Sequence, residues 1–290
     1  MRKTRAYAKI NLTLDIAGRR EDGYHTLRMV MQGISLSDTV ALLDSREFGV
    51  VCNTERVPCG PENTVRKAAE AFFSFCRIRE PHVSFCIRKN IPQQAGLGGG
   101  SADAAAALVL LDRHFGTGLS RKELCRIGLS AGADVPFCLL GGTALVEGIG
   151  EKLNPLPSLP PCRILICKPP MGVSTKEAFA AFDRSRGEKA AYTDAVLNAL
   201  KAGNLPLIAA RLGNTFEQLC GLPQAVGEIE AAMLAGGALG TAMTGSGSAV
   251  FGLFNEKDEA AVRCRDRLLE KYPETFLCLP VVSDCYGMTE

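Results

Sequence analysis

The chemistry of this 290-residue chain is concentrated in one stretch, Ile91-Pro-Gln-Gln-Ala-Gly-Leu-Gly-Gly-Gly-Ser-Ala-Asp-Ala-Ala-Ala-Ala107. Glycines let a backbone approach a ligand closely and turn its N–H groups inward. An Ala-rich helix opening at Ser101 would aim its positive end at the same place. Free N–H groups together with a helix dipole make an anion site, and phosphate is its common occupant. No Gly-Lys-Ser/Thr follows, so this is not a Walker A loop. Nor is it a dinucleotide fingerprint, because Ser101 stands where the third glycine after Gly96 and Gly98 is required. A glycine run by itself reads first as a flexible loop with a helix cap at Ser101, so its meaning depends on what surrounds it.

Metal and disulfide chemistry find no such pattern. The twelve cysteines contain no C-x-x-C pair, and several sit in apolar runs, as Cys138 does in Val-Pro-Phe-Cys-Leu-Leu. They read as reduced, buried thiols acting as small hydrophobes in a reducing cytoplasm. No His-x-x-x-His or carboxylate cluster marks a dedicated metal site. His82 and His114 read as ordinary residues near a strand start and a helix end.

The elements that must position the loop follow from periodicity. Residues 5–16, 26–36, 38–44 and 50–54 read as strands, with Ser37-Asp38 as a break. Asn63 reads as the N-cap of a helix to about Cys76, and 82–87 as a strand. After the loop comes a helix from Ser101. Ser120-Arg-Lys-Glu123 is a capping box opening a helix to about Ala131, and 142–148 is a strand. Leu153-Asn-Pro-Leu-Pro-Ser-Leu-Pro-Pro161 carries four prolines in nine residues and reads as a connector. Beyond it the pattern predicts a strand at 163–168 and helices near 175–183, 193–202, 204–219, 223–235 and 256–271. Residues 241–254 read as strands flanking a Gly-Ser-Gly turn. Strands and helices mix without regular βαβ alternation, so the class is α+β, in two domains, 1–155 and 156–290.

Composition supports a globular chain: 47% hydrophobic and 22% charged residues, with a net charge of +2 from 33 basic and 31 acidic residues. No basic stripe exists, which argues against nucleic acid as a partner. The apolar stretches near 104–111 and 135–146 fall short of the roughly 18 residues that span a bilayer. Lys9, Asn11 and Asp15 interrupt any secretory signal at the N-terminus. The expectation is a cytoplasmic protein with a small-molecule substrate. Nothing in the pattern specifies an oligomeric state.

Pro-x-x-x-Gly-Leu-Gly-Gly-Gly-Ser-Ala-Asp-Ala-Ala resembles the ATP-binding loop of the GHMP kinases. Four further segments extend the resemblance over nearly the whole chain: Ala8-Lys-Ile-Asn-Leu12 with Gly18-Arg-Arg-Glu-Asp-Gly-Tyr-His-Thr-Leu27, Ala131-Gly-Ala-Asp-Val-Pro-Phe137, Gly148-Ile-Gly-Glu151 and Thr244-Gly-Ser-Gly-Ser-Ala-Val-Phe251. The resemblance implies a two-domain fold, with a nucleotide-binding domain, a smaller substrate-side α+β domain and the active site in the cleft between them. It implies ATP with Mg²⁺ and, from Asp-Gly-Tyr-His, a cytidine diphosphate-linked methylerythritol as the alcohol acceptor.

Residue by residue, it implies Asp134 as general base and Lys9 as its cationic partner. A carboxylate in a turn beside Val135-Pro136-Phe137 would stand at the wall of a partly apolar cleft, which suits that task. The nucleotide would be held by Pro92, Gln93, Gln94, Ala95, Gly96, Leu97, Gly98, Gly99, Gly100, Ser101 and Ala102, with Asn63 and Lys89 toward the adenosine. Gln93 and Gln94 depart from the small or apolar residues that the family pattern leads one to expect. Tyr24 and Phe179 would flank the cytosine, His25 would bond its edge, and Asn11 and Thr175 would hold nearby substrate groups. A different acceptor within the same family, and a catalytically silent ligand sensor on the same fold, are the alternatives. Tyr24-His25 and the Ala-Lys-Ile-Asn opening argue against the first. The Lys9 and Asp134 pair argues against the second, since a sensor needs neither.

Overall fold

Alternating apolar residues build the first sheet. In the computed structural model, which describes residues 1–19, 21, 23, 25–185, 191–219, 222–282 and 286, β1 (Arg2–Arg19) and β2 (His25–Asp44) pair antiparallel along their whole lengths. Ile10, Leu12, Leu14 and Ile16 are all buried. The expected break at Ser37-Asp38 is absent and β2 runs through it. Asp38 is fully buried because its carboxylate is satisfied: it accepts from the N–H groups of Asn90 and Ile91 and from the Lys89 ammonium. A paired polar group does not interrupt a strand.

The sheet continues through β4 (Val83–Arg88) to β3 (Gly49–Cys52) on one side. Along the same edge of β2, nearer its start, β5 (Thr143–Gly148) pairs with residues 27–32, and β6 (Lys152–Pro155) pairs with β5. The supposed connector at 153–161 thus begins as strand. Four helices accompany this sheet: α1 (Thr64–Cys76), α2 (Gly99–Phe115), α3 (Arg121–Leu129) and α4 (Val135–Leu140). Asn63 caps α1, and Ser120 with Glu123 forms the capping box of α3, as their residue types require. Every residue of α2 from Ala102 to Leu111 is buried. Its alanines let it lie close against α1 and the sheet. The helix starts at Gly99, two residues before the expected Ser101, because Gly98 takes the cap in the left-handed region at φ +68°.

A second sheet has the order β11-β7-β10-β9, from Thr275–Cys278, Cys162–Cys167, Val250–Asn255 and Gly240–Met243. Packed on it are α8 (Gln224–Ala235) and α9 (Ala260–Leu269), while α5 (Thr175–Arg184) leads from it toward the cleft and α6 (Thr193–Lys201) packs on β1 and β2. The helix expected over 204–219 is only α7 (Leu205–Ala209). After it, β8 (Gly213–Asn214) joins β1 in parallel and Thr215–Gln218 forms a 3₁₀ turn. Gly213 is needed there because a Cβ would lie 2.2 Å from the Tyr192 ring. Strand β11 had no clear pattern in the sequence. The class is mixed α+β, as expected, and among the described residues no helix is long and apolar enough to cross a membrane.

Candidate active site

Strand β1 carries the first two groups. The Lys9 N–H donates to Leu97 O at 3.0 Å, which fixes strand to loop. The residue is buried, and its ammonium donates to Asn11 Oδ1 at 2.8 Å and lies 3.5 Å from Asp134 Oδ2. Gly98 makes this possible, since a Cβ there would stand 3.0 Å from Lys9 Cγ. Asp134 immediately precedes α4 but makes no capping bond with its side chain, so its half-buried carboxylate is left for Lys9 and the cavity.

The glycine-rich loop is pinned by alternation. Ala95 and Leu97 bury their side chains, so Gly96 and Gly98 turn backbone toward the cavity. Opposite lies the 244–248 loop. Asn11 N–H donates to Thr244 Oγ1 at 3.0 Å, and that hydroxyl stands 3.3 Å from both Asn11 Oδ1 and Gly96 O. Asn214 Nδ2 holds the same loop through the carbonyls of Met243 and Gly245, both at 2.8 Å. The starts of α1 and α2 abut at Gly100, where a Cβ would meet Thr64 Oγ1 at 2.9 Å. Two helix N-termini therefore open side by side, with the Ser101 hydroxyl beside Gly132 in the segment leading to Asp134.

A cavity of about 650 Å³ unites these parts. Lys9, Asn11, Asp134, Gln94, Gly96, Gly98, Thr175 and Phe179, all expected at the site, line it. Thr175 Oγ1 bonds Ser246 Oγ at 2.9 Å. Gln94 takes a left-handed φ of +51°, and its side chain lies against Gly172. Pro92, Gln93 and Lys89 instead border a smaller hollow of about 220 Å³ beside Lys168.

His25 lies just behind this wall. Its ring stacks on Phe179 with centroids 4.7 Å apart and 16° between planes, and its Nε2 pairs with Asp183 Oδ1 at 2.7 Å. That bond, with Arg19 nearby, holds the Asp183 carboxyl below its ordinary range. In this arrangement the two rings face each other directly, and Asp183 occupies the edge expected to meet cytosine. Tyr24 lies outside the described residues. Asn63 and Lys89 sit next to the loop but use their polar groups internally: Asn63 on Val65, Arg66 and Pro58, Lys89 on Asp38 and Asp103.

The sequence missed Leu14, Leu27, Met29 and Phe216 of the wall, and the bond from Thr244 to Asn11. Among the described residues no group of three or more His, Cys, Asp or Glu stands ready for a metal ion. The described cysteines are free thiols, and burial pushes Cys162 and Cys278 up to about 12, out of the reactive range.

The family model described as GHMP kinases N terminal domain matches residues 63–142, and that described as GHMP kinases C terminal matches residues 196–274. The class is therefore the GHMP kinases, whose N-terminal match takes in the loop, Ser101 and Asp134. Among curated proteins, the 4-diphosphocytidyl-2-C-methyl-D-erythritol kinase of Caldicellulosiruptor saccharolyticus is 44% identical over 91% of each chain. That of Clostridium beijerinckii is 41% identical over 95% of this chain and 98% of its own. A crystal structure of 4-(cytidine 5'-diphospho)-2C-methyl-D-erythritol kinase superposes with a TM-score of 0.80 at 31% identity, over 96% of this chain and 99% of the other. An L. major mevalonate kinase, at 15% identity and a TM-score of 0.74, shares the fold. The chain belongs to the GHMP kinase family, among its 4-diphosphocytidyl-2-C-methyl-D-erythritol kinases, and is an enzyme of that kind.

Proposed function

We propose that the protein transfers the γ-phosphoryl group of ATP to the 2-hydroxyl of 4-diphosphocytidyl-2-C-methyl-D-erythritol, a step of the non-mevalonate isoprenoid route, in the cytoplasm. The observation that carries the mechanism is the Lys9–Asp134 pair at 3.5 Å, facing the glycine-rich loop across one cavity. Asp134 accepts the proton of the attacking hydroxyl, while Lys9 supplies positive charge beside the oxygen that becomes nucleophilic. That oxygen attacks the γ-phosphorus, the bond to the β-phosphate oxygen breaks, and ADP leaves. The backbone of Pro92–Ala102 and the start of α2 cradle the phosphates.

Mg²⁺, entering on the ATP phosphates, would supply charge neutralisation to the transferring group. Ser101, whose hydroxyl lies on the helix start beside Gly132 in the segment leading to Asp134, would be the side chain to hold it. Thr175 and Asn11 hold the acceptor, and Phe179, Tyr24 and His25 form its cytosine end. Residues 1–155 make the nucleotide-side domain and 156–290 the substrate-side domain.

The test is ADP release by the purified protein with Mg-ATP and the cytidyl acceptor, run beside homoserine and mevalonate. Turnover with the cytidyl compound alone is expected, and turnover only with another acceptor overturns the substrate. Ligand binding without turnover of any acceptor overturns the kinase mechanism in favour of a sensor. Asp134→Asn is expected to keep ATP binding and lose about two or more powers of ten in kcat.

A further inference from the structure

Beneath the glycine-rich loop lies a buried charge cluster that the phosphoryl transfer does not use. Asp38 of β2 takes the N–H of Ile91 at 2.8 Å, the N–H of Asn90 and the Lys89 ammonium. The same ammonium donates to Asp103 Oδ2 at 2.7 Å. Asn53 Oδ1 accepts the Lys89 N–H at 2.8 Å. Asp103 stands in the second turn of α2 at 3% exposure, and its Oδ1 is buried without a partner. One ammonium therefore staples the strand, the segment entering the loop and the helix leaving it.

The charge count matters because of where the cluster sits. Two carboxylates share one ammonium. If both were ionised, one uncompensated negative charge would lie under the start of α2, whose N–H groups attract phosphate. If one holds a proton, the cluster is neutral. Burial pushes the Asp103 carboxyl up to about 8 against the opposing pull of Lys89, and Asp38 adds to the rise. Lys89 and Asp38 are the charged groups facing it from the neighbouring elements. Cys52, whose thiol burial raises, is a further titratable group close by.

We propose that Asp103 is a positioning residue for the nucleotide phosphates and acts as a neutral acid. Through Lys89 it fixes the loop to Asp38, and its proton keeps negative charge from under the phosphate cradle. The proposal rests on the reading of this loop as the ATP site.

The experiment measures KM for Mg-ATP and for the cytidyl acceptor, with saturating Mg²⁺, across about pH 7 to about pH 9, in the full-length kinase and in Asp103→Asn. Asparagine imitates the neutral acid at every pH. In the unaltered enzyme KM for ATP should rise by about tenfold across that range, the scale of one uncompensated buried charge, while KM for the acceptor stays level. Asp103→Asn should abolish the rise. A merely structural role would move both KM values together or leave neither dependent on pH. A flat ATP profile in the unaltered enzyme, or a rise that survives in Asp103→Asn, overturns the proposal. If the variant does not fold, calorimetric titration of the unaltered protein with Mg-ATP over the same range decides, and a flat affinity refutes it. Failure to turn over the cytidyl acceptor, with ATP binding still pH-dependent, refutes the proposed function and leaves this proposal standing.

Discussion

Gly96→Ala probes the closest approach in the site. Gly96 has a φ of +72°, and a Cβ there would lie 2.0 Å from Thr244 O and 2.8 Å from the Thr244 carbonyl carbon. Both atoms are backbone, so no side-chain rotation relieves the overlap. The left-handed conformation costs alanine about 1–2 kcal/mol. The two loops must also separate by more than roughly 1 Å to reach ordinary contact. That separation breaks the Thr244 hydroxyl bond to Gly96 O and the Ala249 N–H bond to Ala95 O, both 3.3 Å, at about 1 kcal/mol each. The expected loss is about 3–4 kcal/mol, read from urea unfolding at unchanged m-value. Gly118→Ala is the control: φ is +61° and nothing lies within 4 Å of the added methyl. It should cost only the conformational share, about 1–2 kcal/mol. Lys9 hangs from Leu97 O, so the displaced loop should also lower kcat by about a hundredfold, the scale of an ångström of misplacement. Equal destabilisation by the two variants would refute the packing of these loops as the source of the effect.

Lys89→Met leaves the Asp38 carboxylate without its cation and Asp103 Oδ2 without its donor, and should cost about 3–5 kcal/mol in chemical denaturation; a loss within a few tenths of a kcal/mol would mean that the ammonium does not hold this cluster together. Burial pushes the Glu217 carboxyl up to about 8 despite its bond from Met243 N–H, and Glu230 adds to the rise. The folded state then keeps a proton that the unfolded chain has released, so stability should fall as pH climbs from the ordinary value of 4.5 toward about 8. Glu217→Gln should flatten that slope by about one proton's worth, and an unchanged slope would clear the pair of any role. Phe179→Ala removes the ring that stacks on His25 and meets Phe216 at 5.1 Å. It should raise KM for the cytidyl acceptor by about tenfold or more with little change for ATP, and equal changes would place Phe179 outside the cytosine end.

What the sequence showed and what it hid have separate physical causes. The Asn63 cap and the Ser120–Glu123 box are local, set by residue types within a few positions, and both stand where the pattern placed them; the glycine-rich loop also leads into a helix, but one that begins at Gly99 rather than Ser101. Asp38 misled because an aspartate in a strand reads as a break, while its three donors come from residues 51 to 53 positions away. The cavity wall hid behind a bulge. Lys9 and Asn11 share one parity on β1, and Leu14 has the other. The register shift between Asn11 and Thr13 brings all three to the same cavity. Simple alternation excludes Leu14. Gly213-Asn214 likewise looked like a helix interior. Its strand pairing with Thr13 and Leu14 spans some two hundred residues, which no local pattern reports. The His25–Asp183 pair is similarly remote in sequence, so the edge of His25 could be assigned to a substrate without its protein partner in view.

The arrangement of charge in the cavity explains why so few cations suffice. Among the described residues its charged lining side chains are Lys9, Asp134 and Glu177, a net charge of −1 by simple count of one cation against two carboxylates. Backbone N–H groups and the two abutting helix starts add attraction for an anion there without placing a mobile cation beside Asp134. Lys9 is held in a particular way. Its ammonium spends its short bond, 2.8 Å, on Asn11, and stands 3.5 Å from Asp134. Asn11 is itself gripped by Thr244 from the far loop. The field of the lysine thus reaches Asp134 while the carboxylate oxygen is not consumed by a short hydrogen bond. An oxygen left available in this way can accept a hydroxyl proton, whereas one locked to a lysine at bonding distance would have to break that bond first. On the proposed mechanism Asn11 would act through the distance it imposes on Lys9, and the contact between the two loops holds Asn11 in place.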